Sequence, residues 1–370
     1  MHWDESNPIC ASTGCHIRLF RTLVSFMVRV FCKLYEVLLK INTRLRRGLE
    51  SDPTVILIDH LTPEQVKAQV AIDVGLTRPF TDAGELLVLI PFRDRWDLTQ
   101  TCLCTLASQK FSDGVKVRVV LIDNGSVNLE TRAGLGEVTK NHPTLNIQTL
   151  QANYEFNYSR LNNDGYRQFK TPETKWALFL NNDVELLDQA ILQRMVSALA
   201  TIQDVGAVGC TLLYPNRQIQ HLFAAPGVKI IAAHPTKGEA FRPSMAWFAK
   251  SVRPVAAVTG AVMMVRAKDF EAVGLMDEGL PTMGQDIDLC LKLFYDLGKY
   301  SAAVTYCNVI HCESKTKNHD FSHTEIQRMT GKWGPRLLAH PFYSKAFSRF
   351  SESPLLVIGA EPKYPVQWIL

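Results

Sequence analysis

From Glu85 onward, short apolar runs alternate with stretches of helical periodicity, and this alternation constrains the fold more than any other feature of the chain. Residues 86–91 read as a strand, 98–109 as a helix and 115–123 as a second strand. The pattern continues with strand at 145–150, helix at 158–169, strand at 175–180 and helix at 187–201. Short β runs separated by helical segments imply parallel pairing with helices on the sheet faces, so a layered α/β domain is predicted. Beyond Val205 the order is expected to loosen, because Pro215, Pro226, Pro235, Pro243 and Pro254 are spread over a region rich in Ala, Gly and aromatics. A strand-like run at 258–265 and a helix-like run at 287–297, closed by Gly298, stand out within it.

Three polar clusters end or follow apolar runs: Leu121-Ile122-Asp123-Asn124, Leu180-Asn181-Asn182-Asp183 and Gly284-Gln285-Asp286-Ile287-Asp288. In open α/β sheets ligands bind beyond the carboxyl ends of the strands, so acids placed there converge although distant in sequence. Asn and Asp also end strands simply as turns, and that alternative stands beside the functional one for each cluster. Asp183 offers a hard oxygen ligand for Mg²⁺ or Mn²⁺, with Asn181 and Asn182 before it. So sparse a set suits a metal that arrives with a diphosphate. Asp123, followed by Asn124-Gly125-Ser126, is either an Asx-turn cap or an acceptor for a nucleotide base or ribose. Asp286 is either the N-cap of the helix that follows or a carboxylate that takes a proton from an attacking hydroxyl. His311, at the end of another apolar run, is a packed residue or a further metal ligand.

The chain of 370 residues has ample apolar content for a core, and its net charge of +4, without a central basic block, gives no case for nucleic acid. Nine cysteines without a CxxC pair suggest reduced thiols rather than a disulfide framework or a zinc site. No secretory signal is expected, since Asp4 and Glu5 precede the apolar part. No membrane-spanning helix is expected either, because residues 17–41 are interrupted by Arg18, Arg21, Arg29, Lys33, Glu36 and Lys40. Those charges, with Arg44 and Arg47, form a mostly basic stripe along a helix whose broad apolar face includes Phe20, Val24, Met27, Phe31, Leu34, Leu38 and Ile41. Such a helix suits either an anionic membrane surface or packing against protein. The expected division is a basic amphipathic segment at 1–50, a linker at 51–84 with a short helix at 63–74, a catalytic domain at 85–345, and a tail at 346–370. Within the domain, 85–205 is expected to bind the nucleotide and 206–345 the acceptor.

Taken together, the ordered segments resemble the family 2 glycosyltransferases of the GT-A fold, especially rhamnosyltransferase-like enzymes of bacterial O-antigen and surface polysaccharide synthesis. The segments are Val88-Leu89-Ile90-Pro91, Leu121-Ile122-Asp123-Asn124-Gly125-Ser126, the run from Asn153 to Asn163, Leu178-Phe179-Leu180-Asn181-Asn182-Asp183 and Val258-Thr259-Gly260-Ala261. Gly284-Gln285-Asp286-Ile287-Asp288, His311-Cys312-Glu313-Ser314-Lys315 and Lys332-Trp333-Gly334 follow, so the likeness covers about residues 85 to 345. The resemblance implies a three-layer α/β/α domain with a mostly parallel sheet. It implies transfer of a sugar, with inversion, from a UDP- or dTDP-sugar to a glycan or lipid-linked hydroxyl.

By the same resemblance Asp286 is the catalytic base, Asp183 ends the DXD-like motif, and His311 joins Asp183 on a divalent metal, Mn²⁺ or Mg²⁺. Pro91, Arg93, Asp123, Asn153, Arg160, Asn163, Asn182 and Gly260 border the nucleotide sugar, and Gln285 and Asp288 lie on the acceptor side. Two departures stand out: the DXD position reads Asn-Asn-Asp, and Gln285 stands where many relatives have Glu. Apart from the resemblance, the unpatterned cysteines suggest a cytoplasmic setting, and the N-terminal helix suggests peripheral contact at the inner face of the cytoplasmic membrane through residues 17–47. A nucleotide-sugar-binding subunit without catalysis is the rival class. A Rossmann dehydrogenase is set aside, because Pro91-Phe92-Arg93-Asp94-Arg95 stands where GxGxxG would follow the first strand.

Overall fold

A computed structural model describes residues 34–41 except 36, and 83–357 except 112–113, 230, 241–251, 306–308, 314–321, 344–346, 354 and 356. The expected linker helix at 63–74 and most of the basic segment lie outside the described residues.

The alternation seen from Glu85 is the first half of one sheet. Strand β1 (Gly84–Phe92) leads through α1 (Trp96–Ala107) to β2 (Val115–Asp123), then α2 (Leu129–Asn141), β3 (Asn146–Gln151), α3 (Tyr158–Phe169) and β4 (Thr174–Leu180). A short strand β5 (Val184–Leu186) precedes α4 (Ile191–Thr201), so the helix expected from 187 starts later, after this strand has turned back. Strands β6 (Val205–Cys210), β7 (Leu212–Leu213), β8 (Ile219–His221), β9 (Ala225–Pro226), β10 (Ala232–Ala233), β11 (Val252–Val255) and β12 (Val262–Arg266) follow. Helices α5 (Ala267–Ala272) and α6 (Gln285–Leu297), strands β13 (Tyr300–Val304) and β14 (Val309–His311), and α7 (His323–Trp333) complete the domain.

The main sheet has eight strands in the order β11-β13-β6-β12-β4-β1-β2-β3. Strands β4, β1, β2 and β3 run parallel, β12 runs antiparallel between β4 and β6, and β13 is parallel to β6. Order therefore does not loosen after Val205: the second half supplies four strands of the same sheet, so both halves share one framework. A second sheet, in the order β5-β14-β7-β8, stands at the end of β4 and carries His311.

Alternation along β1 shows why helices cover both faces. Leu86, Val88 and Ile90 pack with α1 and α4, through Leu103, Leu106, Leu192 and Leu199. Leu87 and Leu89 point the other way, toward Leu161 and Tyr166 of α3, Phe270 of α5 and Leu291 of α6. A strand buried on both faces reads as a continuous apolar run, which is how β1 and β4 look in sequence. Gly165 lets α3 sit close, since a Cβ there would stand 2.6 Å from Ile122 Cδ1.

Burial holds His142, His221, His234 and His340 below the ordinary histidine pKa, with His340 pushed down to about 4. The unfolded chain protonates these rings as pH falls through about 6.5, whereas the folded chain resists, so acid favours unfolding. For His340 alone the loss reaches roughly 2 kcal/mol by pH 5. Its ring packs 4.5 Å from that of Phe294. His340→Phe is expected to reduce the fall in Tm between pH 7.5 and pH 5, measured by calorimetry; an equal fall in both proteins would contradict this.

Candidate active site

The carboxyl ends of β1, β2 and β4 form one edge, and the first two acidic clusters meet there. Asp123 ends β2 and is buried; its Oδ1 accepts the Ser126 N–H at 2.8 Å, so it does close an Asx-type turn. Asn124 ties this turn to the end of β3, its Nδ2 donating to the carbonyls of Ala152 and Tyr154 at 2.7 and 2.8 Å. Pro91 is buried at the end of β1 opposite Ile122, and Arg93 is exposed just beyond it. Asn153 is exposed beside the turn, its Oδ1 3.4 Å from where a Cβ on Gly125 would stand.

Past β4, Asn182 donates to Thr99 Oγ1 of α1 at 3.0 Å, which fixes the turn that presents Asp183. Asp183 is mostly buried, and its carbonyl accepts the Cys312 N–H at 3.0 Å, so the turn after β4 is stitched to the end of β14. That pairing brings His311 Nε2 to 3.1 Å from Asp183 Oδ1. Asn181 Nδ2 lies 3.3 Å from the same nitrogen, and Gln220 Oε1 lies 2.7 Å from His311 Nδ1. A cation bound at about 2.0–2.2 Å by one imidazole nitrogen and one carboxylate oxygen at a right angle holds them about 3 Å apart. The separation of this pair fits that geometry. Among the described residues no group of three or more such side chains gathers, so a metal here would take from the protein no more than this pair.

Asp286 reaches the edge from the other side. Gly284, at φ 82, is the N-cap of α6, which places Asp286 within the first turn rather than at the cap expected as one of its roles. Its Oδ2 accepts the Gly260 N–H at 3.0 Å, and the Gly260 carbonyl accepts the Tyr158 hydroxyl at 2.7 Å. Burial, with the charges of Asp286 and then Asp183 nearby, pushes the Tyr158 hydroxyl far up, so it stays protonated as that donor.

Three successive residues tie the parts together. The Thr259 N–H donates to His221 Nε2 at 3.2 Å, Gly260 binds Asp286, and the Ala261 carbonyl accepts the Asn181 N–H at 2.9 Å. The Asp183–His311 pair and Asp286 thus hang on one short stretch of backbone entering β12. Sequence reasoning missed His221 and His234, whose Nδ1 atoms are 2.7 Å apart, because one ends the three-residue β8 and the other follows the two-residue β10, in the region read as loose. It also missed Arg95, which sits in the left-handed region at φ 47 and forks onto Asp97 at 3.0 and 2.8 Å. Asp97, and more weakly Asp183, hold its guanidinium pKa above the ordinary value.

Three expected site residues are engaged elsewhere. Asn163 is wholly buried and spends its amide on Met276 N–H, Met276 C=O and Glu278, at 3.0, 3.0 and 2.9 Å; it ties α3 to the loop before α6 and has no face toward a donor. Asp288 is also wholly buried, binding Trp333 Nε1 at 2.8 Å and Lys332 Nζ at 2.6 Å, so it anchors α7 and cannot touch an acceptor. Gln285 is buried, its Nε2 3.5 Å from the Thr282 carbonyl and its Oε1 buried without a hydrogen-bond partner. Arg160 is exposed, stacked 4.1 Å over the Tyr154 ring and paired with Asp164 at 3.6 Å.

Residues 87–219 match the family described as glycosyl transferase family 2. The chain carries a family 2 glycosyltransferase domain. It is 30% identical over 270 residues to the O-antigen biosynthesis protein RfbC of Myxococcus xanthus, a match taking in 71% of this chain and 20% of that protein. It is 28% identical over 269 residues to the protein y4gI of Sinorhizobium fredii, covering 70% of this chain and 28% of the relative. The chain thus spans well under a third of the length of either relative. The structure of GalNAc-T7 with UDP, GalNAc and Mn²⁺ superposes with a TM-score of 0.55 at 13% identity, covering 77% of this chain and 60% of that one. At that identity the likeness concerns the fold, which is the GT-A fold. In this glycosyltransferase domain β12 is the antiparallel strand beside β4 that delivers the Thr259–Ala261 stretch to the site.

Proposed function

We propose that this chain is an inverting glycosyltransferase that moves a sugar from a UDP- or dTDP-sugar to a hydroxyl of a glycan or lipid-linked acceptor in surface polysaccharide synthesis. The observation that carries the reading is the joining of Asp286 to the Asp183–His311 pair through Gly260 and Ala261. The name of the Myxococcus relative supports the pathway class, and UDP with Mn²⁺ in the GalNAc-T7 structure supports the donor class.

Asp183 and His311 would hold the divalent ion, and Asp123 would accept hydrogen bonds from the nucleoside. The ion would supply neutralisation of the charge that grows on the departing diphosphate. Asp286, half-buried and held by Gly260, would take the proton of the acceptor hydroxyl as its oxygen attacks the anomeric carbon opposite the diphosphate. The new glycosidic bond forms as the bond to the diphosphate breaks, and the proton ends on Asp286. A panel of UDP- and dTDP-sugars with Mn²⁺ or Mg²⁺, read by release of UDP or dTDP with and without glycan acceptors, tests this. Tight nucleotide binding without release from any donor would favour a binding subunit instead.

We also propose peripheral attachment to an anionic membrane surface through the N-terminal helix. Leu34, Val37, Leu38 and Ile41 fall on one helical face and are 62%, 52%, 54% and 49% exposed, while Leu39 is buried and the Tyr35 ring meets Phe350 at 5.2 Å. The helix is thus seated by its other face, and basic residues flank the apolar stripe in sequence, as an anionic surface requires. No helix among the described residues is long and apolar enough to cross a membrane. The full chain is expected to float with vesicles containing anionic lipid, less so at high salt, and to lose flotation when Leu34, Val37, Leu38 and Ile41 are changed to Gln. Equal flotation of the two proteins would contradict this attachment.

A further inference from the structure

Gln220 is the middle residue of β8 and almost fully buried, in a strand that joins the same small sheet as His311. Its amide has one orientation. Nε2 lies 3.1 Å from Glu313 Oε2 and 3.4 Å from the His311 carbonyl, both acceptors, so the nitrogen end must face them. The oxygen end then faces His311 Nδ1 at 2.7 Å. An amide oxygen only accepts, so Nδ1 carries the ring proton.

In the neutral ring Nε2 is consequently a lone pair. It points at Asp183 Oδ1, 3.1 Å away, with the Asn181 amide 3.3 Å from the same atom. A lone pair and a carboxylate oxygen at this distance repel unless a second ring proton or a metal ion sits between them.

We infer that Gln220 is a positioning residue for the metal site: it fixes His311 as the Nδ1–H tautomer and so offers Nε2 to a divalent ion shared with Asp183. The inference rests on the metal reading proposed above and adds the residue that sets its imidazole ligand. Gln220 touches neither ion nor substrate. It acts through the ring, as the outer partners of ligating histidines do. Glu313 in turn holds the amide, and Lys237 lies 3.7 Å from the other Glu313 oxygen, so the chain of contacts runs from Lys237 to Asp183.

The test uses the full chain and titrates Mn²⁺ in the presence of UDP, read by electron paramagnetic resonance of free and bound ion. Pulsed measurements report the ¹⁴N coupling of a bound imidazole. Gln220→Met, which keeps the shape but cannot accept from Nδ1, is expected to weaken Mn²⁺ by about tenfold or more and to reduce or alter the coupling. Gln220→Glu combined with Glu313→Gln keeps both an acceptor for Nδ1–H and the contact to residue 313 and is expected to retain the affinity and the coupling; their loss in that pair would overturn the inference if the Met variant does not fold. A merely structural role would lower Tm in both variants without separating their Mn²⁺ affinities. Unchanged affinity and coupling in Gln220→Met, with His311→Ala weakened, would overturn this inference alone. Absence of Mn²⁺ binding by the unaltered chain, or unchanged binding in His311→Ala, would overturn the metal reading and this inference together.

Discussion

Asp286→Asn is expected to lower sugar transfer by roughly 10²–10⁴-fold, the range that general-base catalysis supplies, while leaving UDP binding nearly unchanged and lowering Tm by no more than a few degrees. Both expectations follow from its place in α6. Asparagine keeps an oxygen to accept the Gly260 N–H, now bonded at 3.0 Å, and keeps the volume of the side chain. The cap is unaffected because Gly284 supplies it in a left-handed conformation. What is lost is the carboxylate's basicity, its interaction with the helix dipole, worth about 0.3–1 kcal/mol, and the bond that Oδ1 accepts from the Ile287 N–H at 2.8 Å, since asparagine has one oxygen for two donors. Steady-state transfer, UDP calorimetry and thermal unfolding on one preparation separate these effects. Transfer at the unaltered rate would remove Asp286 as the base; a Tm lowered by many degrees would mean that its tie to Gly260 is chiefly structural.

Asp183→Ala is expected to abolish the gain in UDP affinity that Mn²⁺ confers and to reduce transfer by about 10²–10³-fold, the scale for losing one preorganised electrostatic contact to developing charge. The backbone should survive the change, because the bond from the Cys312 N–H goes to the Asp183 carbonyl rather than to its side chain. Asn181 and Asn182 cannot replace the lost charge: one amide is turned toward His311 and the other is committed to Thr99. Calorimetry with UDP, with and without Mn²⁺, checks this for the unaltered and altered chains. If UDP affinity is the same with and without Mn²⁺ in the unaltered chain, the metal assignment fails at its root.

The first half of the fold was legible because its signal is strong and local. Strand β2 and helix α3 occupy the residues their patterns indicate, and Gly298 ends α6 in a left-handed cap. Helix α2 was not legible, since it buries little besides Thr131 and Val138 and so carries almost no apolar period. The strands of the small sheet are two or three residues long, too short for alternation to register, yet they bring His311 and Gln220 to Asp183.

Residue type misled in a consistent way. Asn163 and Asp288 look like site residues in sequence because they are polar and lie next to motifs. The fold uses them as buried ties to Met276, Trp333 and Lys332, which sequence order cannot reveal. Asp123 and Asp183 do stand where β2 and β4 run out, because each follows an apolar run that sequence alone reveals.

Single displacement driven by Asp286 is tested most directly by the configuration of the product. With a donor from the panel that supports transfer, ¹H NMR of the first-formed glycoside reads the anomeric proton coupling before any equilibration. Attack by an oxygen deprotonated by Asp286, on the face opposite the diphosphate, predicts an anomeric configuration opposite to that of the donor. A product with the donor's own configuration would contradict it.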